Sequence, residues 1–116
     1  MTEGFYGDGE FTIKATLSKD SKGDLYTQGD EVYLRVSDGH ILFGVGLTSV
    51  LSYTSIEDVV QITAVRERNG VLKLYINGKL DSGEKTERLY LSGEKGEKCN
   101  ENMVTLYNRA FSYDEV

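Results

Sequence analysis

Residues Ile62 to Gly78, ITAVRERNGVLKLYING, constrain this chain more than any other stretch. Two apolar-rich runs flank Asn69-Gly70, and a second Asn-Gly pair, Asn77-Gly78, closes the segment. Asn-Gly between alternating runs is the strongest short-range hairpin signal, because the central residues of a type I′ turn need φ > 0. A lone hairpin is marginal in water, so this one must lie in a wider sheet.

The flanking sequence supplies the other strands. Glu10 to Leu17 alternates: Phe11, Ile13, Ala15 and Leu17 point one way, Thr12, Lys14 and Thr16 the other. A short strand is expected over Asp24–Gln28. Glu31–Ser37 and His40–Val45 should pair across Asp38-Gly39, followed by a weaker strand over Leu47–Tyr53. Val59–Arg68 leads into the hairpin. Lys79 to Glu87 reads as polar connection, Arg88–Leu91 as a brief strand, Ser92–Asn102 as a charged loop and Met103–Tyr107 as the last strand. Ser112 to Glu115 has the spacing of a capping box and is expected to form one helical turn. Short strands spaced about 8–12 residues apart, with turn signals between them, indicate an all-β sandwich or barrel in a single domain, 1–116.

Composition narrows function by exclusion. A net charge of −6, with Lys and Arg interspersed among Asp and Glu, argues against a nucleic-acid partner. No run approaches the roughly 18 apolar residues of a membrane helix, so no membrane insertion is expected. MTEGFYGDGE has neither a basic start nor an apolar stretch, so no signal peptide is visible in this segment. Cys99 is the only cysteine, which rules out an internal disulfide.

Two pieces of the chain together resemble a known family. ITAVRERNGVLKLYINGKLDSG is similar to the central hairpin of laminin-G-like, concanavalin A-like domains, and VTLYNRAFSYDEV resembles their closing segment. Phe11-Thr12-Ile13 fits their opening strand. The resemblance implies a two-sheet antiparallel jelly-roll sandwich, in a small or edge-truncated version, whose usual work is binding carbohydrate or protein. The sequence departs from the family at Val59-Val60-Gln61, where members usually carry a Trp. Either the sandwich is minimal, or its edges are completed by neighbouring chain or by another subunit.

Catalysis finds little support. The glucanases of this fold class place carboxylates at E-x-D-x-E-like spacing, suited to an acid and a nucleophile about 5 Å apart, and no E-x-D occurs here. His40 stands alone in a turn, and no sequence-local His supports Cys99 as a nucleophile. Gly44 to Ser49 approaches G-x-G-x-x-G but lacks the third Gly and a following helix. Calcium is an option that the resemblance raises, with Asp20 and Asp24, or Asp8 and Asp30, as oxygen donors; the 12-residue calcium-loop pattern is absent.

A sugar site needs an aromatic ring and hydrogen-bonding side chains around it. Tyr33 and Arg35 share one strand face, and Lys73 and Tyr75 share another. If those faces lie on one surface, the four make a ligand-binding patch; the bland alternative is cross-strand pairing, or Tyr75 in the core. Asn108 and Arg109 are read as turn-forming residues. The expectation is a non-catalytic, lectin-like carbohydrate-binding module of a larger extracellular or surface-associated protein, with a glycan or protein partner and self-association as a further option. The alternative is a structural or protein-interaction domain of an adhesin or phage virion with no sugar site.

Overall fold

The computed structural model describes residues 5–7, 10–17, 23–29, 31–46, 48–55, 60–67, 70–85, 91–92, 96–98, 104–112 and 116. Twelve strands are formed by them: β1 (Tyr6–Gly7), β2 (Phe11–Leu17), β3 (Gly23–Gln28), β4 (Val32–Ser37), β5 (His40–Val45), β6 (Thr48–Leu51), β7 (Val60–Arg66), β8 (Val71–Ile76), β9 (Lys79–Lys85), β10 (Leu91–Ser92), β11 (Glu97–Lys98) and β12 (Val104–Tyr107). Every pairing is antiparallel. A front sheet runs β11-β3-β4-β5-β6, a back sheet runs β12-β2-β7-β8-β9, and β1 pairs with β10 apart from both. The expected all-β, two-sheet antiparallel sandwich is what forms.

Period-two alternation decides which side chains meet between the sheets. Val32, Leu34, Val36, Ile41, Phe43 and Val45 of the front sheet are buried with Ile13, Leu17, Ile62, Leu72 and Leu74 of the back sheet in one cluster. Burying each such side chain is worth about 1.5–3 kcal/mol, which is what the alternation stabilises. At one end Phe5 stacks on Phe11 with centroids 4.1 Å apart, and Phe11 meets Phe43 edge-on at 6.1 Å. Gln28 is wholly buried there: its Nε2 donates to the Phe5 carbonyl (2.7 Å), and its Oε1 accepts from the Phe5 N–H (2.8 Å) and the Tyr26 hydroxyl (3.0 Å). The side chain thus substitutes for a strand partner and ties the N-terminal segment down.

Several expectations change. The expected Asn69-Gly70 turn falls partly outside the described residues; at its flanks Glu67 N–H donates to Val71 O and Gly70 N–H to Glu67 O, both at 2.9 Å, with Gly70 at φ 89°. Asn69 itself lies outside the described residues. The two-residue turns are Asp38-Gly39 (φ 51° and 77°) and Asn77-Gly78 (φ 52° and 81°). Asn77 also does more than tolerate positive φ: its Oδ1 accepts from the Gln61 N–H, and its own N–H donates to the Gln61 carbonyl.

The polar connection expected over Lys79–Glu87 is instead β9 through Lys85, an edge strand with a register shift opposite Leu74/Tyr75. Such a strand needs main-chain pairing on one side only, so it carries little apolar pattern, and the bulge blunts its edge. Part of the expected 92–102 loop, Glu97–Lys98, pairs with β3. The proposed helical turn falls largely on residues 113–115, and the brief strand over Arg88–Leu91 largely on 88–90, all outside the described residues. No helix among the described residues is long and apolar enough to cross a membrane.

Candidate binding site

The outward faces of the two sheets are built differently. On the front sheet, residues alternating with the core put Tyr33 opposite Gly44, and Arg35 between Asp24 and Leu42. A Cβ on Gly44 would lie 2.1 Å from Cζ of Tyr33, so the ring is laid flat across the space that glycine leaves. The Arg35 guanidinium carbon lies 4.7 Å from the centroid of that ring, and its Nε sits 3.1 Å from Oδ1 of Asp24. All three side chains keep access to solvent. A guanidinium has five N–H donors, so its pairing with Asp24 leaves capacity for further acceptors.

On the back sheet, part of the outward face of β7 and β8 is covered. Val65 and Tyr75 are buried beneath Phe111, with Tyr107, Ala110 and Val116 packed alongside. Tyr75 is only 4% exposed. The cover is held by Thr12, whose hydroxyl donates to the Arg109 carbonyl (2.7 Å) and accepts from the Phe111 N–H (3.0 Å). Two cations flank the Phe111 ring, Arg109 at 4.5 Å and Lys14 at 5.6 Å from its centroid. Arg109 thus contributes to the cover by stacking on Phe111 and through its backbone carbonyl.

The four expected site residues are thus not brought together. Tyr33 and Arg35 share the outward face of the front sheet, while Lys73 and Tyr75 share the outward face of the back sheet, with the whole core between them. Lys73 Nζ pairs with Glu67 Oε1 at 2.9 Å, and this hydrogen bond holds the ammonium above the usual lysine pKa. Alternation assigns a residue to a face; it does not say which sheet turns that face where, or what later chain covers it. Asp24, an expected calcium donor, engages Arg35 through its carboxylate; its expected companion Asp20, like Asp8 and Asp30, lies outside the described residues, as does Cys99. Among the described residues no group of three or more His, Cys, Asp or Glu could hold a metal. The register Asp24↔Arg35 was the missing signal.

No protein-family model matches the chain, and no curated protein matches it in sequence. Solved structures do match in fold. The binding domain of Paraclostridial Mosquitocidal Protein 1 superposes with a TM-score of 0.70 at 18% identity, over 95% of this chain and 36% of the other. A botulinum neurotoxin type C structure, described as showing cell entry dependent upon interaction with two ganglioside molecules, gives 0.71 at 13% identity, over 95% and 35%. The binding domain of botulinum neurotoxin DC, in complex with rat synaptotagmin II, gives 0.64 at 11% identity, over 93% and 34%. The chain spans about a third of the length of these neighbours, and the likeness establishes the sandwich fold.

Proposed function

We propose that this chain is a non-catalytic, carbohydrate-binding module, a single concanavalin A-like domain over 1–116, working at an extracellular or cell-surface site. The observation that carries the reading is the front-face group of Tyr33, Arg35 and Asp24. A ring laid over Gly44, a guanidinium against it and a carboxylate at 3.1 Å combine an apolar plane with directional donors and acceptors, which is what a sugar ring with its hydroxyls requires. Support comes from a structural neighbour described as depending on ganglioside for cell entry. Such a site is shallow and open, so single-sugar affinity would be weak and useful binding would come from repeated contacts.

The test is a glycan array probed with the intact chain and with Tyr33→Ala. Binding of at least one glycan class by the parent chain, lost in Tyr33→Ala at unchanged melting temperature, is the expected result. Failure of the parent chain to bind any glycan, or full binding by Tyr33→Ala, overturns the reading. A second reading, in which the domain binds protein and no sugar, is favoured by the exposed Leu51 and Tyr53 at the end of β6 and by the neighbour bound to synaptotagmin II.

A further inference from the structure

The covering segment leaves one end of the back sheet's outward face open. A hollow of about 200 Å³ lies there, over β12, β2 and β7, which are neighbours at that side of the sheet. The registers bring its side chains together. Lys14 stands opposite Thr105 on one side and Thr63 on the other, and Thr16 stands opposite Gln61. Tyr107, at the end of β12, lines the hollow on the side of the cover, where its ring leans on Phe111 with centroids 4.7 Å apart. Pockets for drug-sized molecules run to roughly 300–1,000 Å³, so this one suits a single small ring.

Three features show what such a hollow could take. The first is unused hydrogen-bonding capacity. Elsewhere on this sheet Thr12, Lys73 and Asn77 each engage a protein partner. Around the hollow, the hydroxyls of Thr16, Thr105 and Tyr107 and the side-chain amide of Gln61 make no hydrogen bond to any described residue. Donors and acceptors thus converge on one space with nothing of the protein between them. The second is charge. Lys14 is the one charged side chain lining the hollow among the described residues, and no carboxylate among them pairs with it. Its Nζ lies 5.6 Å from the centroid of Phe111, and an aromatic ring attracts an ammonium without neutralising it.

The third is the match of one ammonium to its neutral surroundings. A single cation balances a single negative charge, which a carboxylate carries. A phosphate monoester carries nearly two and is ordinarily held by an Arg fork or by a row of main-chain N–H groups, neither of which lines this hollow. The hydroxyl and amide groups around Lys14 are suited to the remaining hydroxyls of a sugar, and the Tyr107 ring to its C–H face.

We propose that this hollow is a second binding site, for a uronic acid residue: one sugar ring bearing one carboxylate. The Lys14 ammonium takes the carboxylate in a charge-assisted hydrogen bond. Thr16, Thr105 and Gln61 exchange hydrogen bonds with the ring hydroxyls, and the ring rests beside Tyr107. A neutral sugar of the same shape leaves the ammonium unmatched, so the site reads charge first. The hollow is shallow and open at one end, so binding of a single residue is weak. The front-face group of Tyr33, Arg35 and Asp24 lies on the other side of the core, so neither proposal depends on the other.

The test is a titration of the isotope-labelled chain with the methyl glycosides of glucuronic and galacturonic acid. The methyl glycosides of glucose and galactose are the neutral controls, and inorganic phosphate is a further probe. Saturable shifts at the Lys14, Thr16, Gln61 and Thr105 amides with at least one uronide, and none with the neutral sugars, are expected. Lys14→Gln should weaken binding about tenfold or more, the loss of a charge-assisted hydrogen bond, and Thr105→Ala, at an exposed position, about threefold. Lys14→Arg, which keeps the charge, should retain most of the binding, and Tyr33→Ala should leave it unchanged, which separates this site from the front face. Absence of saturable shifts with both uronides, equal shifts with the neutral sugars, or phosphate binding at these amides as tightly as the uronides would overturn the proposal. So would full binding by Lys14→Gln; if that variant loosens the Phe111 cover and melts early, undiminished binding by Thr105→Ala overturns it alone.

Discussion

Tyr33 and Tyr75 occupy corresponding places in the two sheets: each stands on a central strand, on the side away from the core, flanked by a basic residue two positions earlier or later. Their fates differ completely. Tyr33 lies over Gly44 and keeps access to solvent, while Tyr75 is roofed by Phe111 and Val116. The same residue type, in the same alternating pattern, serves as exposed surface in one sheet and as the floor of a second small core in the other. What separates them is the stretch after β12, returning over the back sheet and fastened by one buried threonine.

The most direct way to break this difference is to remove the roof. Phe111→Ala deletes the buried ring of the cover, and losses of about 3 kcal/mol are usual when a buried Phe is truncated. Because the segment can lift locally before the sandwich unfolds, part of that loss should appear as early fraying. Chemical denaturation of the variant should show a lowered midpoint, and amide exchange at Val65 and Tyr75 should speed up well before the amides of Ile13 and Leu34. If those amides exchange as slowly as in the parent chain, the cover is not what protects the back face.

How much of this contrast could be read in advance follows from what alternation encodes. The inward residues of β2, β4, β5, β7 and β8 announce themselves, because a half-buried strand must alternate. The two-residue turns at Asp38-Gly39 and Asn77-Gly78 do too, because φ near +50° to +80° selects Asx and Gly. β9 was hidden because KLDSGEK has main-chain partners on one side and little to bury, although Asn77-Gly78, taken as seriously as Asp38-Gly39, demanded a strand after it. Tyr33 was legible as a surface residue; burial of Tyr75 stood only as an alternative, since the cover comes from some 35 residues later in the chain and its anchor, Thr12, from near the start. The Asp24–Arg35 pair needed a register that a bulge between Asp24 and Tyr26 shifts.

A second effect sharpens the comparison by locating a response in neither outer face. Burial pushes the Tyr26 phenol up to about 12 from its ordinary 10.0. In the window between those values the unfolded chain releases the proton and the native state retains it, so stability is level below pH 10 and falls as pH rises toward 12. At about 1.4 kcal/mol per unit, the loss is on the order of 2–3 kcal/mol. Tyr26→Phe should flatten this alkaline limb in denaturation midpoints measured from about pH 9 to 12. Gln28 Oε1 still accepts from the Phe5 N–H in that variant, so the clamp on the N-terminal segment survives. A limb unchanged in Tyr26→Phe would place the titration elsewhere, with Lys73 the next group to test, since its raised pKa also erodes stability above the ordinary lysine range.

The latch comes next in size. Thr12→Val keeps the shape of the side chain but removes a donor to Arg109 O and an acceptor for Phe111 N–H, leaving two main-chain groups to find other partners. A loss of about 1–3 kcal/mol is expected, and it should be non-additive with Phe111→Ala, because both act by releasing the same segment. A double mutant as destabilised as the sum of the singles would mean that Thr12 and Phe111 hold different things.

The smallest expected change is the most informative about function. Tyr33→Ala forfeits the ring's contact with Gly44 and its stacking with Arg35, an exposed cation–π contact worth about 0.5–1 kcal/mol, and should shift the denaturation midpoint hardly at all. Tyr75→Ala, by contrast, empties a space between Val65 and Phe111 and should cost several times as much. A sheet face that conserves stability poorly is one whose aromatic residue is there for something other than packing. If Tyr33→Ala proves as destabilising as Tyr75→Ala, the front-face ring is a structural cover for Gly44, in the way that Phe111 covers Val65, and the sugar site loses its platform.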